Sequence, residues 1–229
     1  MIDACRQRMA RNEKLAQEVR HRLGQKGITA FDLVASPGSG KGLLLERTLR
    51  DLGRRVRLAV INGDVQTRDD ADRLAACQGQ IVQAMTPSGA CHMEAEQVLA
   101  GLDALDLDRT DLLLIANISN LISPPYWNLG ETAKIVVYSV TEGEDKPIKY
   151  PRMFRTARYG VLNKVDLLPH LSFNKGRALA YARLVNPDLR VFETSALTGQ
   201  GLVEWYAFLL EQVHTATSSS SSADIPADR

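Results

Sequence analysis

Ala35-Ser36-Pro37-Gly38-Ser39-Gly40-Lys41-Gly42 is the stretch that decides the fold. The hydrophobic run 31–35 leads into it, and Leu43, Leu44, Leu45, Arg47 and Leu49 lead out with helical spacing. A strand, a glycine-rich loop and a helix in that order read as a phosphate-binding loop. Gly38 and Gly40 allow successive amides to turn toward one point, and the helix N-terminus behind them favours an anion. Lys41 supplies a point charge for the outer phosphates. Ser36, Ser39 and Gly42 complete the candidate phosphate contacts. The alternative is an ordinary turn before a helix with a solvated lysine, but glycines, lysine, strand and helix all agree on the nucleotide site. The loop departs from its pattern twice. Ala35 replaces the first glycine, a mild change. Gly42 replaces the serine or threonine whose hydroxyl ordinarily ligates the nucleotide's magnesium ion, and glycine offers no side chain.

Outward from this loop, short apolar runs alternate with helical ones. The pattern predicts strands over 31–35, 56–61, 80–84, 112–117, 135–140, 160–162 and 190–194. It predicts helices over 5–26, 41–52, 69–76, 91–102, 151–156, 175–185 and 201–214. Several strands are apolar on both faces, as a parallel sheet covered by helices requires. The expected class is α/β, a doubly wound and mostly parallel sheet flanked by helices. Ligands of such sheets bind beyond the C-terminal strand ends, and each motif below follows a strand. The expected organisation is an N-terminal helix (1–27), a nucleotide-binding domain (28–214) and a disordered tail (215–229). The tail holds five consecutive serines, Ser218 to Ser222, and too little apolar surface to offset its ordering.

The 229 residues carry a net charge of +1, so no basic surplus points to nucleic acid. No stretch is long and apolar enough to span a bilayer, and the charged N-terminus lacks a signal-peptide core. The three cysteines, Cys5, Cys77 and Cys91, have no disulfide-scaffold spacing. A reduced, cytoplasmic protein is expected.

Asn163-Lys164-Val165-Asp166 follows the run 159–162. Asn-Lys-x-Asp at a strand end is a guanine-reading motif. The Asp166 carboxylate can accept from N1–H and the 2-amino group of guanine, whereas adenine would leave it badly paired. Such a site discriminates by a factor on the order of 10⁴. The Lys164 stem can lie along the base. Ser195-Ala196-Leu197 follows the run 190–194, where a backbone amide would meet the guanine O6. Either motif alone is also consistent with a simple turn. Their order after the phosphate loop, each behind its own strand, favours GTP or GDP.

A narrower resemblance rests on the run from Ser139 to Pro151, Ser-Val-Thr-Glu-Gly-Glu-Asp-Lys-Pro-Ile-Lys-Tyr-Pro. It rests also on Ser36 to Lys41, Leu44-Leu45-Glu46-Arg47-Thr48, Asp70-Ala71-Asp72-Arg73, Gly89-Ala90-Cys91-His92 and Asn163 to Pro169. These segments resemble HypB-type hydrogenase nickel-incorporation GTPases over roughly residues 10–213. The resemblance implies a SIMIBI-class P-loop GTPase that homodimerises with nucleotide. It implies delivery of Ni(II) to the [NiFe] hydrogenase large subunit with a HypA-type nickel-binding partner. It places Lys41 on phosphate and Asp166 on guanine. Asp64, in Asn62-Gly63-Asp64, falls where the family has a switch aspartate near magnesium and the attacking water.

The departures from the family cluster around that magnesium ion. The family threonine is Gly42, its Glu-Gly-Asp is Asn62-Gly63-Asp64, and its Glu-Asn-Val-Gly-Asn is Ala116-Asn117-Ile118-Ser119-Asn120. Phosphoryl transfer relies on positioning and metal-assisted charge neutralisation. Slow or absent hydrolysis is therefore expected, with Asp64 the surviving catalytic candidate. Asp32 and Asp69 are read as ordinary solvated carboxylates rather than ligands.

Cys91-His92 is expected to open the helix 91–102. Read alone, the pair is one buried cysteine and one solvated histidine. The resemblance instead implies a Ni(II) or Zn(II) site built with the same pair across a dimer axis. Thiolate and imidazole suit both ions. The family's further cysteine is Ser123, a poor ligand. His21, His170 and His214 are read as surface or structural, and Cys77 as packing. A competing reading is a non-hydrolysing scaffold that pairs with a maturation partner or an intact paralogue. A third is a metallochaperone for another nickel enzyme.

Overall fold

The computed structural model describes residues 2–63, 73–74, 76–87 and 89–221. In chain order the elements are α1 (Ile2–Gln25), β1 (Thr29–Ala35), α2 (Lys41–Leu52), β2 (Leu58–Asn62), β3 (Gln80–Gln83) and α3 (Ala95–Asp103). Then come β4 (Leu112–Ala116), β5 (Ala133–Ser139), α4 (Lys146–Lys149), α5 (Pro151–Thr156), β6 (Tyr159–Asn163), α6 (Lys175–Val185), β7 (Arg190–Glu193) and α7 (Leu202–Ser221). A six-residue 3₁₀ segment, Val165–His170, follows β6.

The strands form one seven-stranded sheet in the order β3-β2-β4-β1-β5-β6-β7. All six pairings are parallel, as the two-faced apolar strands predict. β1 is buried at every position. Its Phe31 and Leu33 pack with Leu44 and Leu49 of α2 and Trp205 and Phe208 of α7 on one face. On the other face Ala59, Ile61, Leu113 and Ile115 meet Val19 and Leu23 of α1 and Val98 and Leu102 of α3. α1 is therefore part of the main core. Beyond β1, Val136, Tyr138 and Leu162 pack with Phe154 of α5 and Ala182 of α6. Fully burying each Val, Leu, Ile or Phe among these contributes roughly 1.5–3 kcal/mol.

Two sequence expectations change. α3 begins at Ala95, so Cys91 and His92 lie in the loop before it. Glu94 is its N-cap, and the Gln97 side chain accepts from the Glu94 amide at 2.8 Å. The last helix continues through Ser221 rather than ending at His214, into the region expected to be unordered. The expected helix over 69–76 falls largely outside the described residues, as does Asp64.

Candidate functional site

The phosphate loop leaves β1 at Ala35 and re-enters helix at Lys41. Gly38 and Gly40 have φ of 78° and 90°, the left-handed region that an L side chain disfavours. At Gly40 space decides as well. A β-carbon there would lie 2.5 Å from Asn163 Nδ2. Lys41 is buried, and its Nζ donates to the Asn117 carbonyl oxygen. A cleft of about 320 Å³ opens over the loop, lined among others by Lys41, Gly42, Asn62, Arg73 and Ser119. Arg73, quoted above only as part of a family motif, adds a second cation to this lining.

The base-reading motif is wired into this loop. Asn163 Nδ2 donates to the Ser39 carbonyl at 2.9 Å. Its Oδ1 accepts from the Ala196 amide at 3.1 Å and from Thr194 Oγ1 at 3.3 Å. Lys164 adopts a φ of 63° and donates from Nζ to the Gly38 carbonyl at 2.6 Å. Asn163 thus ties together the phosphate loop and Ser195-Ala196-Leu197. The Ser195 amide donates to Gln200, and its Oγ accepts from the Thr198 amide. Leu197 is exposed, and its carbonyl accepts from Arg47 of α2.

Asp166 Oδ1 and Ser39 Oγ are buried without a hydrogen-bond partner among the described residues. A buried polar atom left unpaired costs about 1–3 kcal/mol, so each is an open acceptor or donor position beside the loop. N–H donors such as guanine's N1–H and 2-amino group are of the kind the Asp166 oxygen can accept from.

The magnesium corner does not fit that ion among the described residues. Gly42 offers no side-chain oxygen, and neither Asn62 nor Ala116 offers a carboxylate. Asp32 is fully buried in β1 and committed elsewhere. It accepts from Asn117 Nδ2 at 3.0 Å and from Lys134 Nζ at 2.6 Å. Lys134 also pairs with Glu131 at 2.8 Å. The expectation of a solvated Asp32 is corrected, because the strand register sets it opposite Lys134 of β5. Burial works against the charge on Lys134, but Asp32 and Glu131 hold its pKa above the usual lysine value.

Asn117 also reaches the other candidate centre. Its Oδ1 accepts from the Met93 amide at 3.0 Å, next to Cys91-His92. Cys91 is exposed and His92 partly buried, the reverse of the reading without the resemblance. Cys91 Sγ lies 3.4 Å from His92 Nδ1 and 3.1 Å from Ser123 Oγ. Tetrahedral zinc with bonds of about 2.3 Å to sulfur and 2.05 Å to nitrogen sets those ligands roughly 3.5 Å apart. The pair thus fits one edge of a metal tetrahedron. Among the described residues no group of three or more His, Cys, Asp or Glu side chains is placed to hold a metal. Burial lowers the pKa of His92, keeping the imidazole neutral and ligand-competent near neutral pH. Asn120 Nδ2 braces this loop through the Cys91 carbonyl at 2.9 Å and Ser123 Oγ at 3.2 Å.

The run Ser139 to Pro151 acts on the nucleotide side. Glu142 accepts from Ser36 Oγ, and it also pairs with Lys146 at 3.1 Å. Glu144 ties the same run to α6 through Arg177 and the Asn174 amide.

Residues 29–193 match the CobW/HypB/UreG nucleotide-binding domain. The chain is 48% identical over 204 residues to the hydrogenase maturation factor HypB of Azotobacter vinelandii, covering 89% of this chain and 67% of that protein. The crystal structure of HypB from Archaeoglobus fulgidus superposes with a TM-score of 0.84 at 36% identity, covering 89% of this chain and 99% of that one. HypB from Helicobacter pylori, solved in complex with nickel, superposes with a TM-score of 0.84 at 33% identity, covering 90% and 96%.

Proposed function

From the premise that this chain belongs to the CobW/HypB/UreG family, and within it to the HypB maturation factors, we propose a guanine-nucleotide-binding metallochaperone acting in nickel insertion during [NiFe] hydrogenase maturation. The observation that carries this reading is the position of Asn117. Its carbonyl accepts a hydrogen bond from Lys41 Nζ of the phosphate loop, and its side-chain Oδ1 accepts one from the amide of Met93 beside Cys91-His92. Nucleotide and metal candidates therefore share one short connection.

In this reading Ser36, Gly38, Ser39, Gly40, Lys41 and Gly42 cradle the phosphates. Asn163, Lys164 and Asp166 orient and read guanine, with Ser195, Ala196 and Leu197 closing the base side. Cys91 and His92 bind Ni(II) or Zn(II) with the same pair from a second copy. The chain works as a cytoplasmic homodimer with a HypA-type nickel-binding partner, and the hydrogenase large subunit receives the metal. Among the described residues no helix is long and apolar enough to cross a membrane.

Hydrolysis is impaired in this reading. With Gly42 in place of a hydroxyl residue and no carboxylate at 62 or 116, metal-based charge neutralisation is weakened, and about 1.4 kcal/mol of lost stabilisation slows a step tenfold. The committed state of Asp32 leaves it unable to substitute. The same facts favour a second reading, a nucleotide-binding scaffold that pairs with a maturation partner or an intact paralogue.

Calorimetry with GDP and a non-hydrolysable GTP analogue, with and without magnesium, tests the nucleotide reading. Tight, magnesium-independent binding with negligible turnover is expected. Ordinary GTPase rates in magnesium would overturn the impairment, and no binding of either nucleotide would leave the scaffold alone. Gel filtration with Ni(II) or Zn(II), comparing Cys91→Ala, tests the shared metal site.

A further inference from the structure

We propose that Glu94 is a positioning residue that fixes the tautomer of His92, so that His92 meets a metal ion through Nδ1. This rests on the reading of Cys91 and His92 as metal ligands. The two ring nitrogens of His92 face different partners. Nδ1 lies 3.4 Å from Cys91 Sγ, the separation of two ligands on one tetrahedral ion. Nε2 is buried, closes no hydrogen bond among the described residues, and lies 3.5 Å from Glu94 Oε1.

A neutral imidazole carries one proton, and the two possible places for it differ here. On Nε2 the proton faces a carboxylate oxygen, and the Nδ1 lone pair is left toward the thiol side. On Nδ1 the proton blocks the ligand position, and the Nε2 lone pair faces the carboxylate charge. Electrostatics therefore selects Nε2–H. Metal-ligating histidines ordinarily donate their second N–H to a carboxylate, carbonyl or water, which sets both tautomer and orientation.

The surrounding residues hold the parts in place. Trp127 stacks on His92 with centroids 4.5 Å apart and planes 14° from parallel, which fixes the ring plane. Glu94 is held from two sides. Its amide donates to Gln97 Oε1 at the start of α3, and Arg8 of α1 donates to its Oε1. A carboxylate oxygen has the acceptor capacity for both Arg8 and His92. Arg8 also stands 5.3 Å from the Trp127 ring centroid, closing the arrangement. With Trp127 fixing the plane, Glu94 fixes the rotation within it.

The test is long-range ¹H–¹⁵N imidazole NMR on the intact chain, metal-free and titrated with Zn(II), with Zn(II) affinity measured in parallel. The metal-free wild type should show His92 as the Nε2–H tautomer, and zinc should perturb Nδ1. Glu94→Gln should shift the tautomer toward a mixture and weaken zinc binding by about 10–100-fold. An Nδ1–H tautomer in the wild type overturns the proposal, and that measurement needs no variant to fold. Zinc binding as tight in Glu94→Gln as in wild type overturns it too. If Cys91→Ala binds zinc as tightly as the intact chain, the metal-site reading itself fails and this inference falls with it.

Discussion

Asn163 holds the phosphate loop directly, donating from Nδ2 to the Ser39 carbonyl at 2.9 Å across 124 residues of sequence. The same side chain accepts from Ala196 and Thr194, so one amide fastens three segments. Asn163→Ala would leave a buried carbonyl and a buried amide without partners. The expected loss is about 2 kcal/mol of stability, a fall in melting temperature of about 4–8 °C for a chain of this size. Because the phosphate loop loses its brace, GDP affinity should fall by more than tenfold. Thermal unfolding and calorimetry on the one variant check both. A variant that melts like wild type would show that Asn163 carries no structural load.

Asp166 is set apart from Asn163 by what it lacks. Its buried Oδ1 has no hydrogen-bond partner among the described residues. In Asp166→Asn an amide N–H₂ replaces one carboxylate oxygen and meets the guanine 2-amino group donor to donor. Xanthine has a carbonyl oxygen at that position, which the new amide can satisfy. GDP binding should fall by about 10³ or more, and xanthosine diphosphate should bind in its place, within the range that hydrogen-bonded specificity reaches. Competition calorimetry with the two diphosphates reads the exchange. Unchanged GDP binding would remove Asp166 from the base site.

Gly42 has open space around it. A β-carbon there would meet nothing within 4 Å. Gly42→Ser is therefore tolerated sterically and improves helix propensity in the first turn of α2. A gain of roughly 0.5 kcal/mol is expected, about 1–2 °C in melting temperature. The restored hydroxyl should make GDP binding respond to magnesium by several-fold. It should not restore hydrolysis, since Asn62, Ala116 and Ser119 remain. Multiple turnover by Gly42→Ser alone would show that the hydroxyl was the single missing element.

How much of this was legible in the chain depends on how local each signal is. The parallel sheet showed in strands apolar on both faces, and the phosphate loop showed in glycines whose spacing reports φ directly. Asp32 was visible as a carboxylate in an apolar run, but its partner Lys134 is set by strand register across 102 residues. The start of α3 was misplaced because Met93, buried beneath the loop, extends the apolar pattern toward Cys91-His92, while the cap at Glu94 ends the helix there. Asn117 was quoted only within the motif that ends β4, with no role of its own. Its contacts to Lys41, Asp32 and Met93 meet only when β4 lies between β1 and β2. Asp64, Asp69, Asp70 and Asp72 lie outside the described residues.

His92 makes stability depend on pH in a direction the structure sets. Burial lowers its pKa below the usual histidine value, with Arg8 adding to the effect and Glu94 opposing it. In the unfolded chain the ring titrates near 6.5. Between the lowered folded value and about 6.5 the unfolded state binds more protons, so stability rises with pH across that window. The contribution is fully present above the unfolded pKa and is lost as pH falls toward the folded one. As pH falls below about 6.5, metal-free protein should lose stability more steeply than His92→Gln, which has no ring to protonate. Denaturant unfolding at several pH values measures both slopes. Zinc at saturation should steepen the wild-type dependence further, because a ligating imidazole must shed its proton before it binds. Equal slopes for wild type and His92→Gln without metal would mean that the buried ring exchanges protons as freely as a solvated one.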